Sequence, residues 1–278
     1  MRTRFAPSPT GPLHLGHAYS AILAHDMARA AGGAFLLRME DTDLERSRPE
    51  WEAAILADLT WLGLSWDGPV HRQSEHIAGY NARLETLAPR GLLYPCSCTR
   101  ADIRAAASAP QEGVAHAVYP GTCRGRPMAS RRPGDALRLD LGRALAALDP
   151  ETLAFTETGP AHAGTHRVDP EAARRTIGDV VLGRKGEDIV AYFLASAFDD
   201  ADQAISHVIR GEDLFEFTAV QVILQHLLGL PTPVYHHHRL VRDAAGRRLA
   251  KRDDARAIRR YRDEGATPAE IRRMVGLA

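Results

Sequence analysis

Three cysteines among 278 residues, no net charge and no long apolar run set the first bounds on this chain. Its 35 basic and 35 acidic residues cancel, so overall charge gives no pointer to a polyanionic partner. No stretch reaches the roughly 18 uncharged apolar residues of a membrane-spanning helix. Pro7, Pro9, Gly11 and Pro12 interrupt the N-terminal stretch where a secretory signal would need its apolar segment. These absences predict a cytoplasmic globular protein. There is no internal repeat and no low-complexity tract beyond a modest Ala/Arg bias. The cysteines are too few for a disulfide framework. All lie between positions 96 and 123, and clustering of that kind in a reducing compartment points to metal before disulfide.

What is present is an ordinary globular composition, 45% hydrophobic and 25% charged, enough for one large or two modest domains. Hydrophobic periodicity predicts a strand at Thr3–Ala6, then a helix over Ala18–Ala31 with Ile22, Leu23 and Met27 on one face and Gly32-Gly33 as its stop. A buried-type strand follows at Ala34–Met39, with helices at Pro49–Leu62 and Ser74–Ala88. From Tyr94 to about Gly178 the chain turns rich in Gly, Pro, Cys and short apolar pieces, and reads as an insert with its own small architecture. Alternation resumes with Ala191–Ala197, a strand at Ala204–Ile209, a helix at Leu214–Leu228 and a strand at Val234–Leu240. Two α/β halves around an insert predict a doubly wound parallel sheet, with its ligand site at the carboxyl ends of the strands. The corresponding divisions are 1–93, 94–178, 179–245 and 246–278.

Charge is uneven along the chain. Gly246–Ala278 carries ten Lys/Arg against five Asp/Glu, and Arg124, Arg126, Arg131 and Arg132 form a second basic group. Either could neutralise phosphates; either could equally be a solvated surface.

The most informative stretch runs from Phe5 to His17, Phe-Ala-Pro-Ser-Pro-Thr-Gly-Pro-Leu-His-Leu-Gly-His. A strand ends, a rigid turn follows, and a helix begins near the second histidine. Helix N-termini present unpaired N–H groups and partial positive charge, which suits phosphates. Gly16 would let a nucleotide lie against the backbone. His14 and His17, three apart, can share one face and donate to a triphosphate in the transition state of attack on its α-phosphate.

This stretch resembles the HIGH signature of the class I aminoacyl-tRNA synthetases, and its flanks resemble their glutamyl/glutaminyl branch. The resemblance implies a Rossmann-type doubly wound parallel sheet with an inserted small zinc-binding, acceptor-type subdomain. Gly246-Arg-Arg-Leu-Ala-Lys-Arg252 stands where that family has its mobile KMSKS loop, with Arg248 and Ala250 departing from the motif. Lys251 is carried over as the lysine that meets the pyrophosphate. The ATP site implied is His14, Gly16, His17, Gly211, Asp213 and Lys251, with Mg2+ accompanying the nucleotide and His14, His17 and Lys251 catalytic.

The same resemblance implies a glutamate pocket of Arg4, Ser8, Glu40, Tyr192 and Arg210. The chemistry agrees, since an ammonium wants a carboxylate such as Glu40 and an acidic side chain wants a guanidinium. Ser196 stands where ordinary members of the branch are expected to carry Asn. For the cysteines, three thiolates need a fourth ligand to close a tetrahedral structural zinc. Chemistry alone favours His116. The family pattern C-x-C…Y-x-x-x-C matches Cys96, Cys98, Tyr119 and Cys123, and implies Tyr119 instead.

Only 26 residues follow Arg252, where full-length members continue with a helical anticodon-reading domain. The pattern resembles the glutamyl-Q tRNA(Asp) synthetases, truncated paralogues. It implies ATP-dependent activation of L-glutamate and transfer to the queuosine base in the anticodon stem-loop of tRNA(Asp), by a monomer. Two other readings stand beside it. One is a truncated glutamyl-tRNA synthetase charging a tRNA 3′ end; the other is a small-molecule nucleotidyltransferase, many of which share H-x-G-H.

Overall fold

The computed structural model describes residues 1–99, 101–103, 118–185, 190–242 and 256–277. Strand β1 (Arg2–Phe5) pairs in parallel with β2 (Ala34–Met39), and β2 with the short β3 (His71–Arg72). A second set pairs β9 (His207–Gly211), β10 (Val234–His238) and β6 (Ala154–Glu157) in parallel, with β7 (Gly164–Arg167) antiparallel at the edge. The two sets meet where the Ser206 amide donates to the Arg2 carbonyl at 3.0 Å and the Arg2 amide donates to Ser206 Oγ at 2.8 Å. Chain order therefore runs outward from the β1/β9 junction through β2 and β3 on one side and from β9 to β10 on the other, beyond which the earlier β6 and β7 are added. Such a reversal opens a crevice at the carboxyl ends of the strands.

Both faces of this sheet are covered, and strand periodicity explains how. Side chains alternate, so Phe35, Leu37 and Met39 enter one core with Ile209, while Leu36 and Val208 enter the other. The first core is closed by α1 (Leu15–Ala30), α2 (Pro49–Trp61), α8 (Ile258–Asp263) and α9 (Pro268–Val275), through Ile22, Ile55, Leu59, Ile258 and Ile271. The second takes α3 (Ile77–Glu85), α6 (Tyr192–Asp202) and α7 (Thr218–Leu228). Full burial of each large apolar side chain contributes about 1.5–3 kcal/mol. Between these halves, β4 (Leu93–Cys96), β5 (Ala136–Leu139) and β8 (Val181–Gly183) form a separate antiparallel sheet. Helices α4 (Leu141–Ala146) and α5 (Pro170–Thr176) accompany it.

Several boundaries differ from expectation for local reasons. Helix α1 starts three residues early, because His14 serves as its N-cap. The helix expected over Ser74–Ala88 opens as a 3-10 turn at Gln73–His76 and is α-helical only over Ile77–Glu85. The strand expected from Ala204 begins at His207: Ala204 takes a left-handed conformation, φ 51°, which strands do not accommodate. The hairpin β6–β7 falls inside the stretch read as an insert, yet β6 extends the parallel sheet.

The polar interior of the second core is organised by α6. Asp199 accepts hydrogen bonds from Tyr80 (2.6 Å) and Gln73 (2.7 Å), contacts His71 Nε2 at 3.0 Å and lies 3.7 Å from Arg38. Burial works to raise the Asp199 carboxyl, but these donors and Arg38 outweigh it and hold it below 3.8. A depressed carboxylate stabilises the fold fully above its unfolded value and loses that contribution as pH falls through the folded one. Asp199→Asn is expected to cost about 3 kcal/mol at pH 7, since it leaves Arg38 less well compensated. In urea titrations the deficit should shrink below pH 4; a constant deficit would show the carboxylate's charge to be immaterial.

Candidate active site

The crevice is a cavity of about 530 Å³ at the carboxyl ends of β1, β2, β9 and β10. It gathers residues from distant stretches of sequence: Arg4, Ser8, His14, Gly16, His17, Glu40, Tyr192, Arg210, Gly211 and Asp213 all line it. Lys251 and the other residues of 243–255 lie outside the described residues, as does His116. The described residues bounding that segment reach the cavity wall. Val241 lines the cavity, Ala257 bridges to His14, and the Ile258 amide donates to the Leu13 carbonyl at 2.8 Å.

The histidine pair is pre-set by the start of α1. His14 Nδ1 accepts from the Gly16 amide at 3.1 Å, and His17 Nδ1 accepts from the His14 amide at 3.2 Å, a reciprocal cap. The rings stack with centroids 3.8 Å apart. An imidazole that accepts at Nδ1 carries its proton at Nε2 when neutral, so the cap fixes which nitrogen is the donor. A Cβ on Gly16 would sit 3.0 Å from the His14 ring, tight enough to disturb that arrangement. Gly211 serves a similar purpose, because a Cβ there would come within 2.4 Å of Asp213 Oδ1.

The two pocket arginines differ in their compensation. Arg4 is neutralised by Asp200, Nε to Oδ1 at 2.9 Å, and Arg38 Nη2 shares the same oxygen at 2.6 Å. Arg210 is 6% exposed, yet among the described residues no carboxylate lies within ion-pair distance of it. Its guanidinium donates to neutral acceptors: Gln221 Oε1 at 2.5 Å, Thr218 Oγ1 at 2.8 Å and the Leu214 carbonyl at 3.3 Å. A buried cation without a counter-ion is costly, and an incoming anion would relieve that cost. Ser196 stands behind this group and does not line the cavity: it is buried and accepts from Gln221 Nε2 at 3.0 Å.

Glu40 follows β2, and its amide donates to the Pro7 carbonyl at 3.0 Å, tying the turn before α1 to the sheet. Burial raises its carboxyl to about 7; Arg38 and Arg4 oppose the rise, and Asp200 and Asp199 add to it. Burial and then Glu40 raise the Tyr192 phenol, which therefore stays a hydrogen-bond donor at neutral pH. A half-protonated carboxyl facing two guanidiniums suits a zwitterion with an ammonium at one end.

The three cysteines converge as well, their sulfurs all within 4.8 Å of one another, so that together they could hold a metal ion. Tyr119 Oη lies 3.4 Å from Cys96 Sγ and 3.6 Å from Cys98 Sγ, and it accepts the Cys123 amide at 2.8 Å. The basic groups are more compensated than their counts imply. Arg124 pairs with Asp179 (2.7 Å), Arg126 with Asp135 (3.0 Å) and Arg131 with Glu85 (3.8 Å). Each described arginine from Arg256 to Arg273 also has a carboxylate in reach, including Asp58 and Asp26 for Arg262 and Arg272. Among the described residues no helix is long and apolar enough to cross a membrane.

Comparison with known proteins decides the family. The model of the class I tRNA synthetase (E and Q) catalytic domain matches residues 1–130 and 165–278. The chain belongs to that family. It is therefore a ligase of the class I tRNA synthetase type. It is 59% identical to the glutamyl-Q tRNA(Asp) synthetase of Rhodobacter capsulatus, over the whole length of both. With the protein of that name from Nitratidesulfovibrio vulgaris it shares 41% identity, over 98% of this chain and 84% of that one. Among solved structures it superposes on a glutamate tRNA ligase from Elizabethkingia meningosepticum with a TM-score of 0.76 and 26% identity. That match covers 99% of this chain and 60% of the ligase.

An ammonium ligand needs Glu40 ionised, so affinity for an amino-acid ligand is expected to be flat above pH 7. Below about pH 7 it should fall about tenfold per pH unit, as protons compete for the same carboxylate. Calorimetric titration across pH 5.5–8.5 measures this. Glu40→Gln should bind weakly at every pH with no such limb, and an unchanged limb in that variant would place the titrating group elsewhere.

Proposed function

We propose that this chain condenses L-glutamate with ATP to give glutamyl-adenylate, and then transfers the glutamyl group to the queuosine base in the anticodon of tRNA(Asp). The observation that carries the first half is the buried, uncompensated Arg210 facing Glu40 across a cavity whose rim is the capped histidine pair. A free glutamate presents an ammonium and two carboxylates; the cavity offers the Glu40 carboxylate and the Arg4 and Arg210 guanidiniums, with the second lining carboxylate, Asp213, assigned to the nucleotide. Ser8 and Tyr192 add hydroxyl donors to the lining.

In the chemistry that follows, an α-carboxylate oxygen forms a bond to the α-phosphorus of ATP. The bond from that phosphorus to the bridging oxygen breaks, and pyrophosphate leaves. His14 and His17, donors by virtue of their caps, stabilise charge on the phosphate oxygens as it develops. Gly211 and Asp213 also line the cavity, and nucleotide contacts are assigned to them. Lys251 is assigned to the departing pyrophosphate; both described flanks of its segment touch the cavity wall. Mg2+ accompanies the triphosphate. In the second step a hydroxyl of the modified base attacks the glutamyl carbonyl and AMP leaves. The acceptor rests on the names of the relatives and on Ser196 standing in place of Asn. Exposed ion pairs such as Arg131–Glu85, Arg259–Asp263 and Arg260–Glu264 are worth about 0–1 kcal/mol, so RNA phosphates can compete for those arginines, whereas Arg124, Arg126 and Arg262 are held by buried carboxylates.

The similarity to a glutamate tRNA ligase favours a second reading, in which glutamate is attached to a tRNA 3′ end. Labelled glutamate and ATP, incubated with queuosine-containing tRNA(Asp), queuosine-free tRNA(Asp) and tRNA(Glu), separate the two. Label is expected on the first alone. Label at the 3′ end of tRNA(Glu) would overturn the acceptor assignment.

We assign Cys96, Cys98, Tyr119 and Cys123 to one structural zinc. Thiolates at about 2.3 Å from zinc stand about 3.8 Å apart in a tetrahedron. The Cys98–Cys123 separation of 3.5 Å and the Tyr119 contacts of 3.4 and 3.6 Å suit that cage. Burial works to raise the Cys123 thiol, yet hydrogen bonds from Tyr119 and the Ser97 backbone bring it down to about 6, whereas burial raises the Cys98 thiol and the Tyr119 phenol, so a metal's own charge would have to ionise those two. Zinc supplies cross-linking here rather than catalysis. Metal analysis of natively purified protein should find about one zinc per chain, and Cys98→Ser should lose most of it. Tyr119→Phe should weaken retention against a chelator; unaltered retention would point to another fourth ligand, His116 first.

A further inference from the structure

Arg210 has one hydrogen-bond partner that the cavity does not explain. Its Nε donates to His237 Nε2 at 2.9 Å. On the far side of the ring, His237 Nδ1 meets Glu157 Oε2 at 2.5 Å. Glu157 Oε1 in turn accepts the His237 amide at 2.9 Å and the Gly159 amide at 2.5 Å. Glu157, His237 and Arg210 are 2%, 1% and 6% exposed, so the row is buried up to the point where Arg210 meets the cavity. They come from three parallel neighbours in one sheet: β6, β10 and β9.

The donor and acceptor bookkeeping admits one arrangement. Arg210 Nε–H can only donate, so His237 Nε2 must be the bare nitrogen. Nδ1 then carries the proton and gives it to the Glu157 carboxylate. Burial, together with the neighbouring Arg210 cation, lowers the His237 imidazole to about 4, against the pull of Glu157, and a neutral ring is what the geometry demands. Burial raises the Glu157 carboxyl, but the His237 contacts and the Gly159 amide overcome it and keep it ionised.

We propose that Glu157 and His237 are positioning residues for Arg210: the carboxylate fixes the imidazole tautomer, and the imidazole holds the guanidinium in the plane that receives a substrate carboxylate. With Nε tied to His237 and Nη2 to Thr218 and Leu214, the Nη1 edge, which also meets Gln221, is the part of the fork left to turn to the cavity. The neutral ring also separates Arg210 from Glu157, so Arg210 stays uncompensated for an anionic ligand. A direct ion pair would cancel that attraction. The hairpin β6–β7 thereby takes part in the site without touching the cavity.

This inference rests on the reading that Arg210 receives a carboxylate of glutamate, and its test separates the two. Glu157→Gln turns an amide N–H toward Nδ1, which forces the proton to Nε2, where it opposes Arg210. His237→Asn can still reach Glu157 but offers nothing to Arg210. Both variants are expected to raise KM for glutamate in pyrophosphate exchange about 10- to 100-fold, as loss of a hydrogen bond to a charged group does. KM for ATP should stay within about twofold. Glu157→Asp should recover part of the loss. In an Arg210→Lys background, Glu157→Gln should add little, because the two act as one unit. Side-chain 15N spectra of histidine-labelled protein, with the His237 signal assigned by its absence from His237→Asn, should show a bare Nε2 in wild type and a protonated Nε2 in Glu157→Gln. A bare Nε2 persisting in that variant, or additive effects of Glu157→Gln and Arg210→Lys, would overturn the relay. Wild-type glutamate binding insensitive to Arg210→Lys would instead overturn the glutamate reading, and the 15N spectra would still decide the tautomer.

Discussion

One buried carboxylate, Asp200, lies between the guanidiniums of Arg4 and Arg38. Arg4 is on β1, Arg38 on β2, and Asp200 on α6, whose first residue is Tyr192. That contact therefore ties two neighbouring strands to the helix whose first residue, Tyr192, lines the cavity. Removing either side would strand a charge in the interior, which is why the arrangement holds the geometry so firmly. The first-strand arginine can face the cavity in a fixed pose only because its other edge is anchored there.

The same network sets the electrostatics of the site. Arg4 is compensated and contributes direction more than net charge, whereas Arg210 is buried among neutral acceptors and keeps its full attraction for an anion. Glu40, half-buried and largely desolvated, with Asp200 and Asp199 nearby, is raised to about 7 against the pull of Arg38 and Arg4. A ligand of either single charge satisfies only half of this arrangement. A zwitterion with an additional carboxylate satisfies all of it, which is the physical content of the glutamate recognition proposed for this cavity.

Much of this was legible in the sequence where the signal is local. Strand β2 was readable to the residue because alternating apolar side chains face two covered surfaces, and the Phe5–His17 stretch announced its strand, turn and helix in order. Arg4, Glu40, Tyr192 and Arg210, far apart in sequence, could be grouped through the family pattern and not through periodicity. What stayed hidden depends on partners far away in the chain. Nothing about Glu157 or His237 in isolation distinguishes them from surface residues, since their meaning comes from β6 lying beside β10 in the folded sheet. The excess of arginine toward the C-terminus is smaller in the fold than in the sequence, because Asp26 and Asp58, more than 200 residues earlier, take up part of it.

The cysteine site depends on a frame built independently of any metal. Arg138 on β5 lies over the Tyr119 ring at 3.7 Å and donates to the Asp179 carbonyl at 2.7 Å, while Tyr119 bridges to Gly178. The Asp179 carboxylate accepts from Tyr94 on β4 at 2.5 Å, from Arg124 at 2.7 Å and from the Leu141 amide at 3.0 Å. Tyr119 is therefore held by the antiparallel sheet, and the thiols of Cys96 and Cys98 stand at the end of one of its strands. Cys123 is the one of the three thiols carried by an irregular turn, so a metal held as proposed would chiefly restrain that turn against an existing scaffold. Most of the ordering cost is already met by the sheet, and a cross-link that closes a single turn onto a rigid frame need supply only the remainder.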